Sequence, residues 1–175
     1  MKTFILALVT SVLSIQGLIA QDKSTQLQEN NLKSMLENLG YDPKPVALEH
    51  NRTGYYITIK FQGYDASMFM QISPNNQNVW GTIQLSELTP EQATESGRLV
   101  KLLQLNQKFG PCHFYIRPDG KMICITRAIG NKNVAAKDVR EQIESLINTA
   151  SDTIPDWNTK NWKSTVKAPN MTDRR

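Results

Sequence analysis

From Tyr55 to Phe61 the chain alternates, with Tyr55, Ile57, Ile59 and Phe61 on one side and Tyr56, Thr58 and Lys60 on the other. Successive side chains leave a strand on opposite faces, so a period of two marks a half-buried strand. Such a strand needs paired neighbours and a cover on its apolar face only. That restricts the chain to folds built on a sheet with one packed side and one side at least partly open. The neighbours follow directly. Gly63-Tyr64-Asp65 reads as a turn, and Ser67 to Ile72 as a second strand ending at Ser73-Pro74-Asn75-Asn76. Val79 to Leu85 reads as a third. Connections this short make an antiparallel meander.

On either side of the meander the period changes to that of a helix. Leu32, Met35, Leu36 and Leu39 recur at i, i+3, i+4 and i+7, and Gly40 with Pro43 supplies the stop, predicting a helix from Ser24 to Leu39. Thr89-Pro90-Glu91-Gln92 has the form of a capping box and opens a second helix. Leu99, Leu102 and Leu103 continue it to Lys108, and Gly110-Pro111 ends it. Cys112–Arg117 and Lys121–Arg127 flank Pro118-Asp119-Gly120 as a hairpin. Val139, Ile143, Leu146, Ile147 and Ala150 mark a third helix, ended by Pro155. The order is helix, three strands, helix, two strands, helix. The expected class is α+β, an antiparallel sheet with its helices on one face.

The ends carry a different kind of information. Met-Lys-Thr is followed by the apolar run Phe4–Leu13, which fades to Ala20 before the polar Gln21-Asp22-Lys23. One positive charge, a short apolar core and a small exit residue describe a secretory signal peptide over residues 1–20, cut after Ala20 or, second, after Gly17. An uncleaved anchor is the alternative, which Gln16 and Gly17 weaken. About 155 residues then remain, enough for one domain with its own core, expected over 21–157. Residues 158–175, with Lys160, Lys163, Lys167, Arg174 and Arg175, read as a basic disordered tail. Lys+Arg number 20 against 16 Asp+Glu, a mild surplus read as solubility rather than nucleic-acid binding. No second long apolar run follows, so no integral membrane segment is expected after cleavage.

Candidate chemistry is sparse. His50 falls in a loop before the first strand. His113 adjoins Cys112, but neighbours on a strand point to opposite faces and cannot form a catalytic pair. The two cysteines and two histidines lack zinc-site spacing, no phosphate loop is present, and the helical carboxylates Glu91, Glu95, Glu141 and Glu144 have basic neighbours. No catalytic residue, metal site or cofactor is expected. Asn51-Arg52-Thr53 and Asn170-Met171-Thr172 match the glycosylation sequon.

The strand face opposite Ile57 and Ile59 is more informative. It should carry Tyr56, Thr58 and Lys60, then Phe69 and Gln71, then Trp80, Thr82 and Gln84, then His113 and Tyr115. Aromatics among small polar groups suit recognition of a protein or peptide, with Tyr56, Phe69, Trp80 and Tyr115 as the contact residues. The alternative is that part of this face is core or a homodimer interface. For the hairpin, Pro118-Asp119-Gly120 predicts a type I turn with Gly120 left-handed and Arg117 opposite Lys121. Cys112 would then lie beside Thr126 and Phe114 beside Cys124. The cysteines become diagonal neighbours on one face, about 7–8 Å apart at Cα and beyond disulfide reach, so two buried thiols are expected.

Leu102-Leu103-Gln104-Leu105-Asn106, His113-Phe114-Tyr115-Ile116-Arg117-Pro118-Asp119-Gly120, Met122-Ile123-Cys124-Ile125 and Val134-Ala135-Ala136-Lys137-Asp138-Val139-Arg140 together resemble the YbjN family of bacterial proteins. Leu36-Glu37-Asn38-Leu39-Gly40-Tyr41 fits as well, and the likeness spans residues 25–157. It implies a fold similar to type III secretion chaperones, a sensory or regulatory role, and dimers that bind polypeptides. It carries over no catalytic or ligand residue. The export signal departs from the cytoplasmic members. The expectation is an exported, periplasmic or extracellular, non-enzymatic binding module that engages a protein partner. A small-ligand carrier and an enzyme with an unrecognised site are the alternatives.

Overall fold

The computed structural model describes residues 25–162. The expected signal peptide over residues 1–20 and the expected tail beyond Trp162 lie outside the described residues. The elements run α1 (Glu29–Asn38), β1 (Lys44–Ala47), β2 (Thr53–Phe61), β3 (Tyr64–Ile72), β4 (Asn78–Glu87), α2 (Ser96–Lys108), β5 (His113–Ile116), β6 (Met122–Gly130), α3 (Ala136–Asp152) and α4 (Ile154–Trp157). All strands join one antiparallel sheet in the order β1-β2-β3-β4-β6-β5. The class is α+β, with the meander where the alternation placed it. Among the described residues, no helix is long and apolar enough to cross a membrane.

Tyr55, Ile57 and Ile59 of β2 share a face with Met68 and Met70 of β3, Ile83 of β4, Ile123 and Ile125 of β6 and Phe114 of β5, all buried. Leu32 and Leu36 of α1 and Val139, Ile143 and Leu146 of α3 reach zero exposure against that face. Each such side chain contributes about 1.5–3 kcal/mol by leaving water, so this layer carries the stability. Gln142 pins α3 to the sheet, its Nε2 donating to the Val79 and Arg127 carbonyls at 3.0 and 2.7 Å.

Several expectations need correcting. The first group of strands has four members, because β1 pairs with β2 along Lys44↔Tyr56 to Ala47↔Thr53. A four-residue edge strand containing Pro45 has little alternation to read. The turn after β2 is Gln62-Gly63 rather than Gly63-Tyr64-Asp65. Both residues have positive φ, 45° and 81°, as a two-residue type I′ hairpin requires, so β3 begins at Tyr64. α1 starts at Glu29, not Ser24, because the preceding segment lies extended against the loop after β6. There Leu27 exchanges hydrogen bonds with the Asn131 carboxamide at 3.0 and 3.1 Å. The capping box forms, with Thr89 N–H donating to Gln92 Oε1 at 3.0 Å and Gln92 N–H to Thr89 Oγ1 at 3.3 Å. It caps only a short 3-10 turn, Gln92–Thr94, before α2 restarts at Ser96. The domain also continues past Trp157. Asn158, Thr159 and Trp162 are buried, and Thr159 Oγ1 donates to the Glu87 carbonyl at 2.9 Å, so residues 158–162 belong to the body rather than to a tail.

Candidate functional site

Because the helices gather on one side, the other side of the sheet is free of any helix among the described residues. The register sets its side chains in rows. Tyr56 pairs with Phe69, Phe69 with Thr82, Thr82 with Thr126 and Thr126 with His113. In the next row Gln84 meets Cys124 and Cys124 meets Tyr115; in another, Gln71 meets Trp80 and Trp80 meets Ala128. The structure thus brings Tyr56, Phe69, Trp80 and Tyr115 onto one face, with Thr58, Lys60, Gln71, Thr82, Gln84 and His113.

The four aromatics do not stand alike. Tyr56 and Phe69 pack with centroids 5.0 Å apart and planes tilted by 45°. Phe69 lies so close over Gly54 that a Cβ there would sit 2.4 Å from its Cζ. Gln84 Nε2 donates to the Tyr56 hydroxyl at 3.3 Å. Thr126 Oγ1 donates to the Gly81 carbonyl at 2.9 Å, so in the 3.0 Å contact between the Thr82 and Thr126 hydroxyls Thr82 is the donor. Tyr115 stands opposite Cys124 in the neighbouring row, and its burial pushes the phenol up to about 12, with Cys124 adding to the rise. Cys124 itself is 1% exposed, and burial raises its thiol as well. The middle of the face is therefore closed by its own side chains. Trp80, at 36%, is the large apolar residue that remains open on it.

The hairpin register differs by one from expectation. Gly120 is left-handed (φ 72°) and its N–H donates to the Arg117 carbonyl at 2.8 Å, as a type I turn requires. Asp119, however, accepts from the Lys121 N–H at 3.0 Å and from the Arg117 guanidinium at 2.6 Å. Lys121 is drawn into the turn, and Arg117 N–H donates to the Met122 carbonyl at 2.9 Å. Phe114 thus faces Ile125, Tyr115 faces Cys124 and His113 faces Thr126. The cysteines lie on opposite sides of the sheet, with Cys112 in the core 3.3 Å from Ser145 Oγ and Cys124 under Tyr115. Both thiols are free and buried, for a stronger reason than the expected diagonal spacing. Cys124, Thr126 and Arg117 are members of the open face that the sequence reading missed. Taking Ile123 and Ile125 as the core set of their strand would have found the first two.

Both ends of the sheet are closed to further strands. On β5, Phe114 N–H donates to Asn106 Oδ1 at 2.6 Å and Asn106 Nδ2 donates to the Phe114 carbonyl at 3.1 Å. On β1, Pro45 has no N–H to give. Among the described residues, no group of three or more His, Cys, Asp or Glu side chains could hold a metal ion. His50, with φ 58°, is exposed in a turn, and His113 is exposed at the end of its row.

These features define an α+β domain with one helix-covered face and one open face that carries aromatic and polar side chains. No family model and no curated protein matches the chain. Among solved structures it is similar to an uncharacterized protein from Methanothermobacter thermautotrophicus, with a TM-score of 0.55 at 13% identity, over 78% of this chain and 100% of that one. At that identity the likeness speaks to the fold alone.

Proposed function

We propose that the chain is an exported, non-enzymatic binding module, a chaperone-like or sensory regulator that engages a protein partner through the open sheet face. The observation that carries this reading is Trp80, a third exposed on a face that no described helix covers and that both guarded edges leave as the way in. An aromatic anchor with amides and hydroxyls around it is the composition of a recognition surface. The YbjN-like motifs, with the type III secretion chaperone-like architecture they imply, favour a polypeptide partner and a homodimeric state. The leader-like Phe4–Leu13 run favours a periplasmic or extracellular location.

The test has two parts. N-terminal analysis of the exported protein should begin at or near Gln21, and intact Met1 in a membrane fraction would contradict export. The exported chain and its Trp80→Ala variant are then used side by side as bait, with captured proteins quantified by mass spectrometry. A partner lost with the variant supports the reading; capture indifferent to Trp80, Tyr56 and Tyr115 alike removes it.

A further inference from the structure

We propose that the Trp80 end of the open face is the anchor for an uncharged, proline-rich segment in the polyproline II conformation. The proposal rests on the reading that this face engages a polypeptide, and it names the chemistry of that polypeptide.

An internal stretch of polypeptide is recognised in a few recurring ways: strand addition at a sheet edge, an amphipathic helix in an apolar groove, an acidic or phosphorylated motif on a basic cluster, or a polyproline helix on aromatic rings. Strand addition is closed off. The Asn106 carboxamide already holds both backbone groups of Phe114 on β5, and Pro45 interrupts the donors of β1. A helix would need a row of apolar contacts a turn apart, yet Trp80 is the exposed large apolar residue on this face. The others, Val100 and Leu103, lie on α2. Among the described residues this face carries no unpaired basic cluster either. Lys44, Lys60 and Arg117, which stand on this face, are ion-paired with Asp42, Asp65 and Asp119.

The fourth mode matches what is present. A shallow hollow beside Trp80 is lined by Gln71, Ser73, Pro74, Asn75 and Asn78, none of them charged. Its loop wall is fixed from within: Ser73 Oγ donates to Asn75 Oδ1 at 2.7 Å, and the Asn78 and Gln77 N–H groups donate to Ser73 Oγ and Asn75 Oδ1 at 2.9 and 3.1 Å. A polyproline helix has no internal hydrogen bonds and turns its carbonyls outward as acceptors. The hollow offers an indole plane for pyrrolidine rings. Trp80, Gln71 and Asn78 on its lining carry side-chain N–H donors that no other described residue engages. A preformed helix also loses little entropy on docking, which suits a small contact.

The test is a 15N correlation titration of the exported chain with acetylated decaproline amide. The three tryptophan indole signals are followed, Trp80 being assigned by its loss in Trp80→Phe. A saturable shift of the Trp80 signal is expected, with affinity down about tenfold or more in Trp80→Ala, as for a hot-spot residue. A Gly-Ser peptide of equal length should give no shift. The proposal is overturned by absence of saturation at about 5 mM decaproline, a concentration that reaches millimolar Kd values. It is equally overturned by binding that survives Trp80→Ala, or by cellohexaose shifting Trp80 where decaproline does not. If decaproline fails while partner capture still depends on Trp80, this proposal falls and the protein-partner reading stands. If neither depends on Trp80, both fall.

Discussion

The carboxamide of Asn106 on α2 holds the backbone N–H and carbonyl of Phe114 on β5 at 2.6 and 3.1 Å, standing where the next strand of the sheet would stand. An open edge is a template for another chain, and proteins that keep a free edge cover or interrupt it. Asn106→Ala uncovers one donor and one acceptor beside a buried phenylalanine. The expected cost is about 1–2 kcal/mol, the range for a lost pair of partly hydrated hydrogen bonds. The variant should also self-associate more than the wild type. Urea unfolding and sedimentation velocity measure the two effects. A variant of unchanged stability and unchanged sedimentation would mean that the latch is incidental.

Tyr56 and Trp80 share a face but should differ in what they contribute to folding. Trp80 is only about a third exposed but makes no ring contact or side-chain hydrogen bond with another described residue, so Trp80→Ala should cost about 1 kcal/mol or less. Tyr56 packs on Phe69 and accepts from Gln84, and Tyr56→Ala should cost about 1–2 kcal/mol through the ring contact and the lost hydrogen bond. A core truncation such as Leu146→Ala supplies the upper reference, about 2–5 kcal/mol. Denaturant midpoints rank the three. Trp80→Ala falling near Leu146→Ala would show that the Trp80 region is structural.

The elements that were legible in the sequence are those whose pattern reports burial directly. The alternation of Tyr55–Phe61 and the stripe Leu32, Leu36 gave strand and helix because water, not tertiary detail, decides which side of them is apolar. What was missed depends on contacts across the chain. β1 is exposed and broken by Pro45, so it exists only by pairing with β2. The late start of α1 depends on Asn131, about a hundred positions away, competing for Leu27. The one-residue slip of the hairpin depends on Asp119 choosing Lys121 as well as Arg117. The candidate face survived that slip because the faces of Tyr56, Phe69, Trp80 and Tyr115 follow from their own strands. Cys124 did not, since its face was argued through the turn.

Gly54 and Phe69 form a coupled pair. A methyl group at residue 54 would lie 2.4 Å from Phe69 Cζ, a distance at which the ring has to move. Gly54→Ala alone should destabilise by about 1–3 kcal/mol, the usual range for overpacking. Repeated in a Phe69→Ala background, where the obstructing ring is gone, it should cost at least about 1 kcal/mol less, since contacting residues couple by that order. A double-mutant cycle from urea denaturation reads the coupling directly. Additive effects would show that Phe69 yields freely and is not seated on Gly54.

Tyr115 and Cys124 make the closed centre of the open face measurable by pH. Burial is the main cause that lifts the Tyr115 phenol to about 12, with neighbouring Cys124 adding to it. An unfolded tyrosine ionises near pH 10. The native state thus holds this proton more tightly than the unfolded chain does. The stability it confers is fully present below about pH 10 and is lost as pH rises toward about 12, because there the unfolded state sheds the proton first. Burial raises Tyr41 and Tyr55 too, so absorbance near the tyrosinate band should show several late-titrating tyrosines in the native protein and one fewer in Tyr115→Phe. Unfolding midpoints of wild type should fall faster between pH 10 and 12 than those of the variant, a window set by those two pKa values. Cys124 provides the independent check. A thiol reagent should find neither cysteine in the folded protein and both after denaturation without reductant. Rapid labelling of Cys124 in the native state, or a Tyr115 that titrates with the exposed tyrosines, would mean that the two side chains do not close over the sheet as described.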